Sequence, residues 1–323
     1  MRFAVLGAGA IGAYVGAALT RGGADVTLIA RGAHREAMAA CGVQVMSPRG
    51  DFTAHPSVTH DMGAVAGADV VFVALKAYSL PGIAPALGVL LKADAAVIWA
   101  QNGIPWWYFQ SAPGPGGLAG LDSVDPGGVI ATSVAPEHNV GCVVYCSTEI
   151  TEPGVIRHVE GTRFSLGEPD GSITDRCQAI SAAFAAGGLR APVTARLRDE
   201  IWLKLVGNVA FNPVTALTGA TLGQLGDLPE MRGLLRAMFA ECAQVADRLG
   251  IAFPVSLDRR LEAGLAVGDH KTSMLQDLQA GKKLELDCMT AAVIELARHL
   301  DVPVSHVEAV HACAKLLGDL ATR

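Results

Sequence analysis

The chain has no apolar run approaching the roughly 18 residues that would read as a membrane span. It also has no excess of positive charge: 25 Lys and Arg stand against 31 Asp and Glu, a formal net charge of −6. Binding nucleic acid or an anionic membrane needs clustered cations that displace counterions or meet headgroups, so both are excluded as general functions. Charged residues make up only 17% of the 323 residues and hydrophobic ones 51%. That balance excludes a disordered or tail-rich protein and supplies a sizeable core for two domains of ordinary size. The seven cysteines are scattered and odd in number, with neither a C-x-x-C pair nor the Cys/His spacing of a zinc site. Most such cysteines read as small buried apolar residues in a reducing cytoplasm; Cys142 and Cys146 lie near each other, which leaves a redox or ligand role open without further support. The amino terminus runs directly into an apolar strand, which leaves no room for a removable signal, and no repeat or low-complexity tract follows. Cytoplasmic small-molecule chemistry is the expectation.

What is present starts at residue 2. An apolar strand, Arg2 to Leu6, breaks into Gly7-Ala8-Gly9-Ala10-Ile11-Gly12 and then into an Ala-rich helix to about Arg21; Gly22-Gly23 stops that helix, and a second strand, Asp25 to Ile29, comes next. A G-x-G-x-x-G between strand and helix is a dinucleotide-binding fingerprint in its proper context. Gly7 allows the tight turn, Gly9 lets the backbone approach a pyrophosphate, and Gly12 lets helix pack close to strand, while the orphan N–H groups of the helix start face the anion. The end of the second strand selects the cofactor, since an acid there accepts ribose hydroxyls and a base accommodates a 2′-phosphate. This chain reads Ala30-Arg31-Gly32, with His34 and Arg35 behind and no acid until Glu36. Arg31 is therefore expected to favour NADP(H), its plainer alternative being a solvated surface arginine.

Two further apolar runs, Asp69 to Leu75 and Ala95 to Ala100, alternate with helical segments and predict a parallel sheet. Ligands of such sheets bind beyond the carboxyl ends of the strands, which puts Lys76 and the Asn102 of Gln101-Asn102-Gly103 toward the cofactor. A long loop, 104–128, then carries Pro105-Trp106-Trp107-Tyr108-Phe109 and two glycine-rich stretches. Its aromatics read equally as a substrate wall, a lid, a partner surface or a staple to the sheet. Strand-like segments at Gly141–Ser147 and Gly154–Val159 and a helix near Asp175–Ala186 complete a first domain, 1–192; beyond it helical periodicity predicts an all-α second domain, 193–323, with segments near 197–212, 229–249, 273–281, 284–299 and 305–319. On the first of these helices Lys204, Asn208 and Asn212 recur at every fourth position and share a face beside the apolar stripe of Ile201, Leu205 and Val209. Asparagine is a poor interior helix former, so two of them beside a lysine point to a site that donates hydrogen bonds to a carbonyl, hydroxyl or carboxylate rather than to a solvated face.

On these residues the chain resembles the ketopantoate reductase family (2-dehydropantoate 2-reductases). The resemblance covers nearly the whole chain: Gly7 to Gly12, Arg31, Leu75-Lys76-Ala77, Gln101-Asn102-Gly103, Trp202 to Pro213, Ser273-Met274-Leu-Gln-Asp277 and Leu284-Glu285-Leu-Asp287. It implies an α/β fold in which an amino-terminal Rossmann dinucleotide-binding domain precedes an all-α carboxyl-terminal domain. It also implies NADPH-dependent reduction of a 2-oxo acid between the two, ketopantoate to pantoate in pantothenate biosynthesis, with no metal. By position, the resemblance makes Lys204 the general acid, Asn208 and Asn212 substrate contacts, and Ser273 the partner of the substrate carboxylate. Asn102 would touch both cofactor and substrate, Glu285 would reach the cofactor ribose, and Lys76 would join Gly7, Ala8, Gly9, Ala10, Ile11, Gly12 and Arg31 around the cofactor. Ser273 follows Asp269-His-Lys-Thr272 at a helix start, where a hydroxyl and unpaired N–H groups suit a carboxylate.

Three departures bear on the substrate. Thr221-Leu222-Gly223 stands where the family can place another substrate-binding asparagine, the aromatic loop is atypical, and a further cofactor contact expected near Cys142 to Ser147 does not align to one particular residue. A different 2-oxo acid on the same scaffold, a β-hydroxyacid dehydrogenase, and a non-catalytic NADP(H)-binding sensor are the alternatives. The helical part and the aromatic loop offer apolar surface for a homodimer.

Overall fold

The structure, a computed structural model, describes residues 1–321. The chain divides into two compact units, Met1–Gln101 with Gly127–Leu197, and Asn102–Pro126 with the residues from Arg198 onward. Residues 102–126, which a boundary at 192 would leave with the sheet, thus group with the helices.

The first unit is built on one mixed sheet. Its strands are β1 (Arg2–Leu6), β2 (Asp25–Ile29), β3 (Val43–Met46), β4 (Phe52–Ala54), β5 (Ser57–Thr59), β6 (Val70–Val73), β7 (Ala96–Trp99), β8 (Asn139–Glu152) and β9 (Val155–Gly167), in the order β4-β3-β9-β8-β7-β6-β1-β2-β5. From β5 to β8 all neighbours in that order pair in parallel. The order reverses between β1 and β6, whose last residues Leu6 and Val73 are paired. Such a switch point opens a crevice at the carboxyl ends of the strands, and this doubly wound arrangement is a Rossmann-type fold. Every residue of β6 and β7 is buried, which explains their unbroken apolar sequences: a parallel strand covered on both faces has no polar side to show.

Helices α1 (Ala10–Arg21), α2 (Gly32–Cys41), α3 (Leu80–Leu90), α4 (Val129–Ser133) and α5 (Asp175–Ala186) belong to this unit. In α1 every residue from Gly12 to Leu19 is buried, and its alanines and glycines let it lie close to the sheet. The β8–β9 ribbon is longer than the apolar pattern predicts. The two strands pair antiparallel from Gly141↔Gly167 out to Glu152↔Val155, and apart from the buried Ile156 and His158 their outer portions are half-buried or exposed, so they carry Thr148, Glu149, Arg157 and Glu160 and give a weak hydrophobic signal. The strands β3, β4 and β5, three or four residues each, are too short to show a period.

The second unit is helical: α6 (Leu197–Thr218), α7 (Leu222–Asp227), α8 (Pro229–Arg248), α9 (Leu257–Leu265), α10 (Ser273–Gln279), α11 (Ala292–Leu300) and α12 (Ser305–Ala321), with a π-helical turn at Asp287–Ala291 leading into α11. Pro213 does not end α6, as a breaker would be expected to. It removes one backbone donor, but Val214, Thr215 and Ala216 beyond it are buried, and Thr215 Oγ1 donates to the Asn212 carbonyl at 2.9 Å. No helix among the described residues is long and apolar enough to cross a membrane.

Candidate active site

In the first unit, the loop after β1 turns at Gly7, whose N–H and that of Ala8 both donate to the Ile29 carbonyl at 3.2 and 3.1 Å, tying the glycine loop to the end of β2. Gly12 is required by the protein itself, because a Cβ there would lie 2.2 Å from the Gly7 carbonyl oxygen. At Gly9 an added Cβ would meet nothing within 4 Å. Gly9 caps α1 without a side-chain hydrogen bond, and the first turn, with Ala10 and Ile11, contains no acid. The helix start is thus electrostatically ready for an anion.

Arg31 stands exposed at the amino-terminal cap of α2, at the end of β2, with extended backbone. Arg35 pairs with the neighbouring Glu36 at 3.3 Å. His34 Nδ1 accepts the Gly154 N–H at 3.0 Å, so the β8–β9 turn is fastened to α2. Burial lowers the His34 pKa from 6.5, against a smaller opposing effect of the Ala8 backbone. Lys76 is half-buried just beyond β6 and caps the short 3₁₀ turn Ala77–Ser79. Gln101, at the end of β7, donates from Nε2 to the carbonyls of Val73 and Leu75 at 2.9 and 3.1 Å, bracing the backbone that leads into Lys76.

In the second unit the four-residue spacing on α6 has the expected effect of setting Lys204, Asn208 and Asn212 along one face. Lys204 and Asn208 are half-buried and Asn212 is buried. The Lys204 ammonium donates to Asn102 Oδ1 at 2.7 Å. Asn212 Nδ2 points to Met289 Sδ at 3.7 Å, a weak acceptor. Ser273 is exposed at the first position of α10, but the cap of that helix is Thr272, whose hydroxyl accepts from Leu275 N at 3.4 Å. Thr272 lies 2.6 Å from Thr215 Oγ1, which itself donates to the Asn212 carbonyl. The Thr272 hydroxyl therefore donates to Thr215, and a relay of two buried hydroxyls fixes the start of α10 to the Asn212 turn of α6. Glu285 is buried in the segment before the π-turn.

The aromatics of the long loop staple it to the helical unit. Trp106, Trp107, Tyr108 and Phe109 are all buried within the chain. Tyr108 OH accepts from Trp202 Nε1 at 2.8 Å, and Arg198 donates to the Tyr108 carbonyl at 2.8 Å with its guanidinium 5.0 Å from the ring. Burial, partly opposed by the Trp202 bond, pushes the Tyr108 phenol up to about 12, which keeps it neutral as a structural group.

The structure joins Asn102 to Lys204 and Asn212 to the start of α10. Gly7 to Gly12, Arg31 and Lys76 lie in the first unit. Gln101, Thr215 and Thr272 are supporting residues that pattern reading misses, because a single polar side chain at a strand end or helix cap has no period. Among the described residues there is no cluster of three or more His, Cys, Asp or Glu able to hold a metal ion.

Residues 3–106 match the family described as "Ketopantoate reductase PanE/ApbA", and residues 196–318 match its carboxyl-terminal counterpart, "Ketopantoate reductase PanE/ApbA C terminal". The chain is 42% identical over 319 residues to the 2-dehydropantoate 2-reductase of Mesorhizobium japonicum, covering 98% of each. It superimposes with a TM-score of 0.92 on a crystal structure from Ralstonia solanacearum MolK2 provisionally assigned as a ketopantoate reductase, at 36% identity and covering 99% of this chain and 98% of the other. The fold also matches that of a D-mandelate dehydrogenase solved with NADH and anilino(oxo)acetate, with a TM-score of 0.85 at 18% identity over the full length of both.

Proposed function

The chain belongs to the ketopantoate reductase family, an assignment that makes it an oxidoreductase, and on that premise we propose that it reduces ketopantoate to pantoate with NADPH, using Lys204 as the proton donor. The observation that carries this reading is the Lys204 ammonium held on Asn102 Oδ1 at 2.7 Å. A nicotinamide dinucleotide, when bound, supplies the hydride. As hydride reaches the ketone carbon, negative charge grows on the carbonyl oxygen, and an ammonium aimed at that oxygen lowers the barrier where the charge develops. Lys204 then gives its proton to the alkoxide, which leaves a hydroxy acid and a neutral amine that solvent reprotonates. Asn102 accepts one N–H of the ammonium and so limits its orientation. In this reading Asn208, on the same face of α6, bonds the substrate, and Ser273, first in α10, offers a hydroxyl and helix-start N–H groups to its carboxylate.

The first unit fits the cofactor. Gly9 could carry a side chain as far as the protein's own packing is concerned, so glycine there serves the close approach of something else, and the uncapped, acid-free start of α1 suits a pyrophosphate. Arg31, exposed at the end of β2 with no acid before Glu36, suits a 2′-phosphate and hence NADP(H) over NAD(H). Lys76 adds a cation beyond β6.

One observation favours a second reading on the same scaffold, reduction of a different 2-oxo acid. Thr221-Leu222-Gly223 stands where the family can place another substrate-binding asparagine, and the Thr221 side chain is engaged in a capping box with Gln224 at the start of α7. The deciding experiment follows NADPH oxidation by the purified protein with ketopantoate, beside a panel of branched and aromatic 2-oxo acids and an NADH control. Efficient turnover of ketopantoate with NADPH is expected. Turnover of another oxo acid alone would move the substrate and keep the mechanism. Tight NADPH binding without any turnover would make the protein a cofactor sensor.

A further inference from the structure

Between Leu286 and Ala292 the helical register slips by one residue. The Ala291 N–H bonds the Leu286 carbonyl, five residues back, at 3.1 Å. The Ala292 N–H bonds the carbonyls of Asp287 and Met289, five and three residues back, and passes over Cys288, its α-helical acceptor. The Cys288 carbonyl accepts the Ile104 N–H instead, at 2.8 Å. The π-turn thus hands one backbone acceptor to the segment that carries Asn102.

A π-helical turn is rarer than the α-helix it interrupts, and such bulges are frequent at functional sites. Here it is pinned by side chains. The Leu286 carbonyl collects three donors: Met289 N at 3.2 Å, Ala291 N at 3.1 Å and Thr290 Oγ1 at 3.2 Å. A carbonyl only accepts, so the Thr290 hydrogen points at Leu286 and its oxygen takes the Nδ1–H of His311 at 2.7 Å. Thr290 is fully buried. Burial, then the charge of Lys315, lowers His311 from its ordinary 6.5, which keeps the ring neutral at neutral pH.

We infer that Thr290 and His311 are positioning residues for the reductive chemistry: by pinning the π-turn they set the Cys288 carbonyl that holds Ile104, and so place Asn102 against the Lys204 ammonium. The inference rests on the reading of Lys204 as proton donor and deepens it. Neither residue acts on substrate directly; their effect passes through backbone. A catalytic group displaced by about 1 Å can lose up to about 100-fold in rate, so a loosened latch is expected to lower kcat without unfolding the protein.

The test is Thr290→Val, nearly isosteric but without a hydroxyl, beside Thr290→Ser, which restores it. Two readouts are taken on the full chain: hydrogen exchange of the peptide covering residues 102–108, and steady-state kinetics with NADPH and the best oxo acid of the panel. In T290V, exchange at 102–108 is expected to quicken about 10-fold, and kcat to fall about 10-fold, with KM for NADPH within about twofold; T290S restores both. Unchanged exchange in a folded T290V overturns the inference, as does faster exchange with unchanged kcat while Lys204→Ala abolishes turnover. If K204A itself retains turnover, the Lys204 reading fails, and the exchange data still decide whether the latch holds the loop. Should T290V fail to fold, His311→Ala against His311→Asn, which keeps a donor near the Nδ1 position, makes the same comparison from the partly exposed side of the pair.

Discussion

Lys204 Nζ and Asn102 Oδ1 are 2.7 Å apart, although 102 residues of chain separate them. A lysine that donates to an amide oxygen has the direction of one N–H fixed, which is what a proton donor requires and a solvated surface lysine lacks. Replacing Lys204 by Ala is expected to reduce kcat by about 10²- to 10⁴-fold, the usual range for a lost general acid, while the NADPH dissociation constant, read by fluorescence titration, changes less than about twofold. Asn102→Ala keeps the ammonium but removes its acceptor, and a loss of about 10-fold is expected. Equal losses in the two variants would mean that Asn102 does more than orient the lysine.

Arg31 governs which dinucleotide is used if it meets the 2′-phosphate. It is exposed, so the contact is partly screened, and a charge-assisted hydrogen bond there is worth about 1.5 kcal/mol, or about 10-fold. Arg31→Ala should raise KM for NADPH by that factor and leave KM for NADH unchanged. Measuring both cofactors on both proteins checks it; a parallel rise in the two would assign Arg31 to the fold of the β2–α2 turn.

Local features of the site were legible in the sequence and distant ones were not. Gly7 to Gly12 announces itself because strand, turn and helix lie within twenty residues, and Lys204, Asn208 and Asn212 do so because a helix converts a four-residue spacing into one face. The pairing of Lys204 with Asn102 depends on how the aromatic loop folds back on α6, through Trp202 and Tyr108, and no periodicity encodes that. For the same reason the four loop aromatics read equally as lid, wall or staple until their burial is known. The π-turn was invisible because residues 284–299 look like any amphipathic helix; an i→i+5 register differs from α in its hydrogen bonds and hardly at all in its composition.

Glu168 and Arg176 supply a pH-dependent part of the first unit's stability. Arg176 bonds both oxygens of the Glu168 carboxylate, at 2.7 and 2.5 Å, and donates to the Glu137 and Asn139 carbonyls. Burial by itself would raise the Glu168 pKa, but the Arg176 and Thr174 hydrogen bonds outweigh it and hold it below the ordinary 4.5. A carboxylate whose folded pKa is depressed stabilises the protein above its unfolded pKa and loses that contribution as pH falls through the folded value. Arg176→Ala leaves a carboxylate only 5% exposed without its cation. The guanidinium itself is 37% exposed, so solvent screening reduces the expected loss to about 2 kcal/mol at pH 7, below the range for a fully buried pair. Urea unfolding at a series of pH values should show the gap between wild type and R176A closing as pH falls from the ordinary 4.5 of a glutamate through its depressed folded value. A gap that stays constant would make the contribution one of packing.

Gly103 tests whether the Asn102 segment must lie where it does. Its φ is +87°, a region that side chains rarely adopt, and an added Cβ would sit 2.1 Å from the Cys288 carbonyl oxygen, a backbone atom that cannot swing aside. Left-handed strain alone costs about 1–3 kcal/mol, and the clash adds to it, so in Gly103→Ala the loop has to lift from the π-turn or the π-turn has to yield. In either case the Ile104 to Cys288 hydrogen bond stretches and Asn102 moves relative to Lys204. The expected result is a protein that still binds NADPH but has kcat lowered at least about 10-fold, with a clear drop in melting temperature. The same substitution at Gly9, where a Cβ meets nothing within 4 Å, should reverse the pattern: an unchanged melting temperature and weakened NADPH binding. The contrast separates a glycine that the fold demands from one that a ligand demands, and a G103A enzyme with normal kcat would show that the position of Asn102 is set elsewhere.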